Sequence, residues 1–92
     1  MTDTDKRYDR LFTFRSVHDA VRAEHLLAGA GIKAIARPTP REIDLSCGHS
    51  LQLAAADQAA ALAVLAGNAA RWGKLYSRVS ARVWEKICEY EE

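Results

Sequence analysis

Ninety-two residues, of which 49% are hydrophobic and 27% charged, give one globular domain with no room for a second core. A formal net charge of +1 without any run of Lys and Arg argues against nucleic acid as a partner. The longest weakly polar region, 51–70, is broken by Gln52, Asp57, Gln58 and Asn68, which excludes a membrane span.

Residues 1–7 are polar and carry no apolar signal-peptide core, so the expectation is a flexible N-terminus in a cytoplasmic protein. From Tyr8 to Phe14 both sides of an alternating pattern hold apolar residues (Phe12 and Phe14 against Leu11), as a central strand requires. Ser16-Val17-His18-Asp19 then reads as a helix start, with the Ser16 hydroxyl capping free amides and Asp19 in the first turn. Val17, Ala20, Val21, Leu27 and Ala28 recur at helical spacing and predict the buried face, and Gly29 and Gly31 end the helix. A short second strand runs over 32–37. Past a proline-rich loop, Ser50-Leu51-Gln52-Leu53-Ala54 predicts a third strand with one wet face. Asp57 caps a second helix whose stripe is Leu62, Leu65, Ala69 and Trp72, closed by Gly73. Residues 74–80 alternate again as a fourth strand. In 81–92, Val83, Trp84, Ile87, Cys88 and Tyr90 fall at helical spacing, which predicts a helical C-terminal extension with Cys88 in its packed stripe. The domain therefore spans 8–80 as β-α-β-β-α-β. That order closes most simply as an α+β, ferredoxin-like four-stranded sandwich with both helices on one face.

The stretch that stands out is Pro38-Thr39-Pro40-Arg41-Glu42-Ile43-Asp44-Leu45-Ser46-Cys47-Gly48-His49. Two prolines remove backbone donors at its start, and a loop of this length in so small a domain points to function. Cys47 and Cys88 read as reduced thiols and form no C-x-x-C pair, leaving single-thiol chemistry at Cys47. Arg41 is a cation able to favour a thiolate, and His49, two residues on, shares a side with Cys47 in an extended backbone. In the expected topology this loop lies at the same edge as the start of the first helix, so His18 and the positive helix end approach it, and Lys74 returns from that edge. His18 and His25 lie seven apart on one helix face without a compact ligand pair, so no metal is expected, and no cofactor either.

Residues 14–53 resemble a family of small bacterial proteins, the selenium/sulfur carrier protein-like family. The resemblance rests on Phe14-Arg15-Ser16-Val17-His18-Asp19-Ala20 with Ala23-Glu24 and Leu27, on Gly31-Ile32, and above all on Pro38-Thr39-Pro40-Arg41-Glu42-Ile43 followed by Ser46-Cys47-Gly48 and Leu51. It implies that Cys47 carries sulfur or selenium as a persulfide or selenylsulfide, with Arg41, Ser46, Gly48 and His18 as its motif companions. Asp44-Leu45 replaces the small or hydroxylated residues usual in the family, and the segment beyond Ser80 extends past the family core.

Two functions follow from this reading. One is a non-enzymatic carrier relaying a sulfur or selenium atom from a donor protein of the cysteine desulfurase kind to an acceptor. The other is a small binding or regulatory module whose Pro38–Gly48 loop contacts a protein or ligand. Exposed sheet edges leave a homodimer open in either case. Thiol reactivity separates them, because a carrier needs Cys47 and a binding module tolerates Cys47→Ser.

Overall fold

Apolar residues at alternate positions of four strands and on one stripe of each helix meet in a single core. A computed structural model describes residues 8–41, 43, 48–80 and 82–90. The elements run β1 (Arg10–Phe14), α1 (Val17–Gly29), β2 (Ala34–Pro38), β3 (His49–Leu53), a 3-10 turn (Ala55–Asp57), α2 (Gln58–Gly67), β4 (Lys74–Ser80) and β5 (Val83–Glu89). All four strand pairings are antiparallel, and the sheet order is β2-β3-β1-β4-β5. Phe12 stands opposite both Leu51 and Leu75, and all three are buried. On that face they join Ala20, Ala23 and Leu27 of α1 and Ala61 and Leu65 of α2.

The α+β class stands, but the ferredoxin-like four-stranded sandwich with a helical addition is overturned. The C-terminal segment is a fifth strand, paired with β4 from Lys74↔Glu89 to Ser80↔Val83. Its apolar spacing imitates a helix because the pairing is irregular. Leu75 faces Cys88 while the next residue, Tyr76, faces Lys86, so Ile87 is an extra residue that breaks the two-residue period. Cys88 is consequently an exposed strand residue, not part of a packed helical stripe.

Ser16 caps α1 as its sequence predicts, its Oγ accepting from the Asp19 amide at 3.2 Å. The buried stripe is Ala20, Ala23 and Leu27; Val17 and Val21 lie at its margin, about half exposed, and Ala28 faces solvent. Helix α2 stops at Gly67, short of Trp72. Ala69 adopts a left-handed φ of 53° and the Ala70 amide returns to the Leu65 carbonyl at 2.9 Å, which ends the helix. Asp57 makes no side-chain cap bond. The Arg22 guanidinium bonds the Asn68 carbonyl at 2.8 Å, tying α1 to this terminus.

The wet face expected for β3 is not wet. Ser50 and Gln52 are buried, and each is satisfied: Ser50 Oγ donates to the Arg37 carbonyl at 3.0 Å and Gln52 Nε2 to the Tyr8 carbonyl at 3.3 Å. On the same side Leu11 is fully buried, so β1 is packed on both faces.

Candidate functional site

Strands β2 and β3 form an antiparallel hairpin, and its connection holds the proline-rich stretch. Pro38 is the last residue of β2 and pairs with His49, an edge-strand place where its missing amide costs no ladder bond. The Thr39 amide donates to the Gly48 carbonyl at 2.9 Å and closes the base of the loop; the Ile43 amide donates to the Pro40 carbonyl at 2.9 Å in a turn. Glu42 and residues 44–47, with them Ser46 and Cys47, lie outside the described residues, as does the 1–7 segment. Gly48, covalently bonded to Cys47, is described and half-buried.

Gly48 lines two cavities. The first, about 440 Å³, gathers the end of β1 (Thr13, Phe14, Arg15), the loop (Thr39, Ile43, Gly48), the start of β4 (Gly73, Lys74, Tyr76) and the end of β5 (Glu89, Tyr90). Three hydrogen bonds tie its walls together. Gly73 donates to the Thr13 carbonyl at 2.6 Å, Lys74 N donates to Thr13 Oγ1 at 2.9 Å, and Tyr90 N donates to the Gly73 carbonyl at 2.9 Å. Behind them the Trp72 ring meets Phe12 at 5.0 Å and Tyr90 at 5.8 Å, both edge-on. The second cavity, about 580 Å³, is an apolar groove between α1 and the hairpin that includes Val17, Val21, Pro38 and His49. Arg15 and Val17, which flank the Ser16 cap, thus each line one of these cavities together with Gly48, and the positive end of α1 borders them both.

The first cavity is charged. Among the described residues that line it, Arg15 and Lys74 bring two cations and Glu89 one anion. Lys86 donates to the Glu89 carboxylate at 2.9 Å and holds that carboxyl below its ordinary range, and Lys74 and Arg15 pull in the same direction. The bond raises Lys86 in return.

The residues expected from sequence are therefore distributed unevenly. Gly48 and Lys74 share the charged cavity. His49 lies at the start of β3 and opens on the apolar groove instead. Arg41, in the Pro40–Ile43 turn, and His18, in the first turn of α1, are exposed and line neither cavity. Arg15, Tyr76, Glu89 and Tyr90 were not singled out from sequence as site residues. Arg15 had a signal, since it follows the end of β1 on the same side as Thr13 and immediately precedes the helix cap. Glu89 and Tyr90 had none while their segment read as a helix. Among the described residues no three His, Cys, Asp or Glu side chains cluster as metal ligands, and no helix is long and apolar enough to cross a membrane.

A family model described as "Putative Se/S carrier protein-like" matches residues 9–77, well over half of the chain and wider than the 14–53 stretch that carries the motifs. The match runs from β1 into the first residues of β4 and leaves β5 outside. No curated protein and no solved structure matches the chain.

Proposed function

The chain belongs to this Se/S carrier protein-like family, and we propose that it relays a sulfur or selenium atom as a persulfide or selenylsulfide on Cys47. The observation that carries the reading is the position of Gly48. The residue bonded to Cys47 lines a cavity that Arg15 and Lys74 also line, and cations near a thiol favour the thiolate and the charged persulfide that follows it. In this reading Arg15 and Lys74, more than Arg41, supply the positive charge. His49, on the groove side, accompanies the thiol as a nearby base, and Arg41, Ser46 and His18 serve the approach of partners. The Cys47 thiolate attacks the terminal sulfur of a donor persulfide, R–S–SH. The donor S–S bond breaks, R–S⁻ leaves, and Cys47–S–SH forms with no net oxidation. An acceptor nucleophile then takes the terminal sulfur and returns the Cys47 thiolate.

The test is intact-mass analysis of reduced protein mixed with a cysteine desulfurase and cysteine. The expected result is a gain of one sulfur that is lost in Cys47→Ser and kept in Cys88→Ser. No gain, or a gain that follows Cys88, counts against the relay and turns attention to the Pro38–Gly48 loop as a binding surface.

A further inference from the structure

The sheet ends in β2 on one side and β5 on the other, and the two edges are built differently. Register shifts interrupt β5, and it carries Glu85, Lys86 and Glu89, devices that keep an edge from pairing. β2 pairs with β3 in unbroken register from Ala34 to Pro38. The phase of that ladder fixes which backbone groups face outward. Thr39 and Gly48 are a hydrogen-bonded pair through the 2.9 Å bond between them. In an antiparallel ladder such pairs alternate, so Arg37 and Ile35 bond β3, while Ala36 and Ala34 turn their amides and carbonyls away from it. No other backbone bond reaches those groups among the described residues. Beside this edge lies the apolar groove of about 580 Å³, lined by Ala36 and Pro38 from β2, by Val17, Val21 and Glu24 from α1, and by Leu51 of β3. We propose that the β2 edge and this groove together bind an extended segment of a partner protein, which adds to the sheet antiparallel to β2 and carries an apolar-x-apolar-x-basic pattern.

The amides and carbonyls of Ala34 and Ala36 give the segment four backbone bonds whatever its sequence. Specificity comes from the side chains. Ala34 and Ala36 stand opposite Leu53 and Leu51 of the core, so their side chains share the helix-bearing face. The segment's residues opposite Pro38, Ala36 and Ala34 point to that same face and enter the groove. They are spaced about 6.8 Å apart, and Val17 and Val21 lie about 6 Å apart along α1. Both valines are about half exposed and meet the first two inward side chains. β1 and β2 run the same way and α1 runs back between them, so the third inward side chain falls toward Glu24. Glu24 is half-buried, the one carboxylate among the described lining residues, and in no ion pair with another described residue. A basic residue complements it. A second copy of this chain fits the edge poorly. The two-fold register that satisfies every outward group of Ala34 and Ala36 is centred on Ile35, and it sets Lys33 of each copy opposite Arg37 of the other, a like-charge pair at both ends. No residue of 44–47 takes part, so the docking stands or falls apart from the Cys47 relay.

The probe is a capped heptapeptide, Thr-Val-Thr-Val-Thr-Arg-Thr, titrated into the full chain by amide and methyl NMR. Saturable shifts are expected at Val17, Val21, Ala34 and Ala36, with exchange of the two alanine amides slowed about tenfold or more at saturation. The same peptide N-methylated at its second valine and its arginine, opposite Ala36 and Ala34, should bind about tenfold or more weakly. Ala36→Pro removes one outward amide and leaves the β2–β3 ladder intact, and should weaken the parent peptide by about threefold to tenfold. Glu24→Gln should weaken it by up to about fivefold. No saturable shift, shifts that map to β5, or an N-methylated peptide that binds as well as its parent overturns the proposal. So does a concentration-dependent dimer in sedimentation that itself protects the Ala34 and Ala36 amides, since it assigns the edge to a second copy.

Discussion

Replacing Gly73 with alanine tests the geometry that joins β1, β4 and β5 at the site. A Cβ at Gly73 would sit 2.7 Å from Thr13 Oγ1 and 3.1 Å from the Thr13 carbonyl oxygen. Neither atom can move freely, because Oγ1 accepts from the Lys74 amide at 2.9 Å and the carbonyl accepts from Gly73 itself at 2.6 Å. Gly73 is not among the positive-φ residues, so the penalty is one of space and not of backbone conformation. Forcing one methyl group into such a contact costs about 1–3 kcal/mol. In a domain of this size that lowers Tm by roughly 5–20 °C, at about 4–8 °C per kcal/mol. Thermal melts followed by circular dichroism provide the assay, with Gly67→Ala as the sign control. An added Cβ at Gly67 meets nothing within 4 Å, and the position is the last residue of α2, so the same chemical change should raise stability by up to about 1 kcal/mol. Thr13→Ala removes the nearer clash, so the Gly73→Ala/Thr13→Ala double variant should lose less than the sum of its singles. Melts in which Gly73→Ala and Gly67→Ala shift in the same direction, or a strictly additive cycle, would refute the close-contact account.

Ser16→Ala removes the α1 cap and should cost about 1 kcal/mol, read as a lower midpoint in urea at unchanged slope. Ala69→Gly relieves a non-glycine residue at φ 53° and should stabilise by up to about 1 kcal/mol in the same assay. Side-chain NMR should place the Glu89 midpoint below the ordinary 4.5, and Lys86→Ala should move it up. Because the folded midpoint is depressed, whatever the Lys86–Glu89 pair adds to stability is present above the unfolded value and fades as pH falls through the folded one. A midpoint unmoved by Lys86→Ala would show that the 2.9 Å bond does not hold in solution.

Local signals with a fixed mechanical meaning were legible in the sequence. Ser16 three residues before the amide it caps and Phe12 opposite apolar neighbours each predicted what the chain does there, whereas Pro38, which reads as closing the second strand after residue 37, is itself the last paired residue of β2. The polar alternation of β3 misled because Ser50 and Gln52 find hydrogen-bond partners in Arg37 and Tyr8. Side-chain polarity fixes the need for a partner, not for water. Helix α2 read too long because Ala69 and Trp72 keep the helical spacing; the left-handed backbone at an alanine, which ends the helix, leaves no mark in composition.

The C-terminal strand reads as a helix because two irregularities interrupt its pairing with β4. Opposite β4, Ile87 is one residue too many on β5, and Val79 is one too many on β4 between Arg78↔Trp84 and Ser80↔Val83. Each insertion resets which residues share a face. Trp84 and Lys86 consequently stand opposite Arg78 and Tyr76, with the Arg78 guanidinium 4.9 Å over the Trp84 ring, while Cys88 stands opposite Leu75. No single period fits such a strand, and the apolar residues at 83, 84, 87 and 88 fit a helix better. Yet it is as a strand, ending opposite Lys74, that β5 delivers Glu89 and Tyr90 to the cavity that Gly48 also lines. As a helix the segment would carry the same residues without the register that sets Glu89 across from Lys74. The charge pattern of the site is therefore a property of strand pairing, and single-residue changes that realign β5, such as deletion of Ile87, should alter it as much as replacing Glu89 itself.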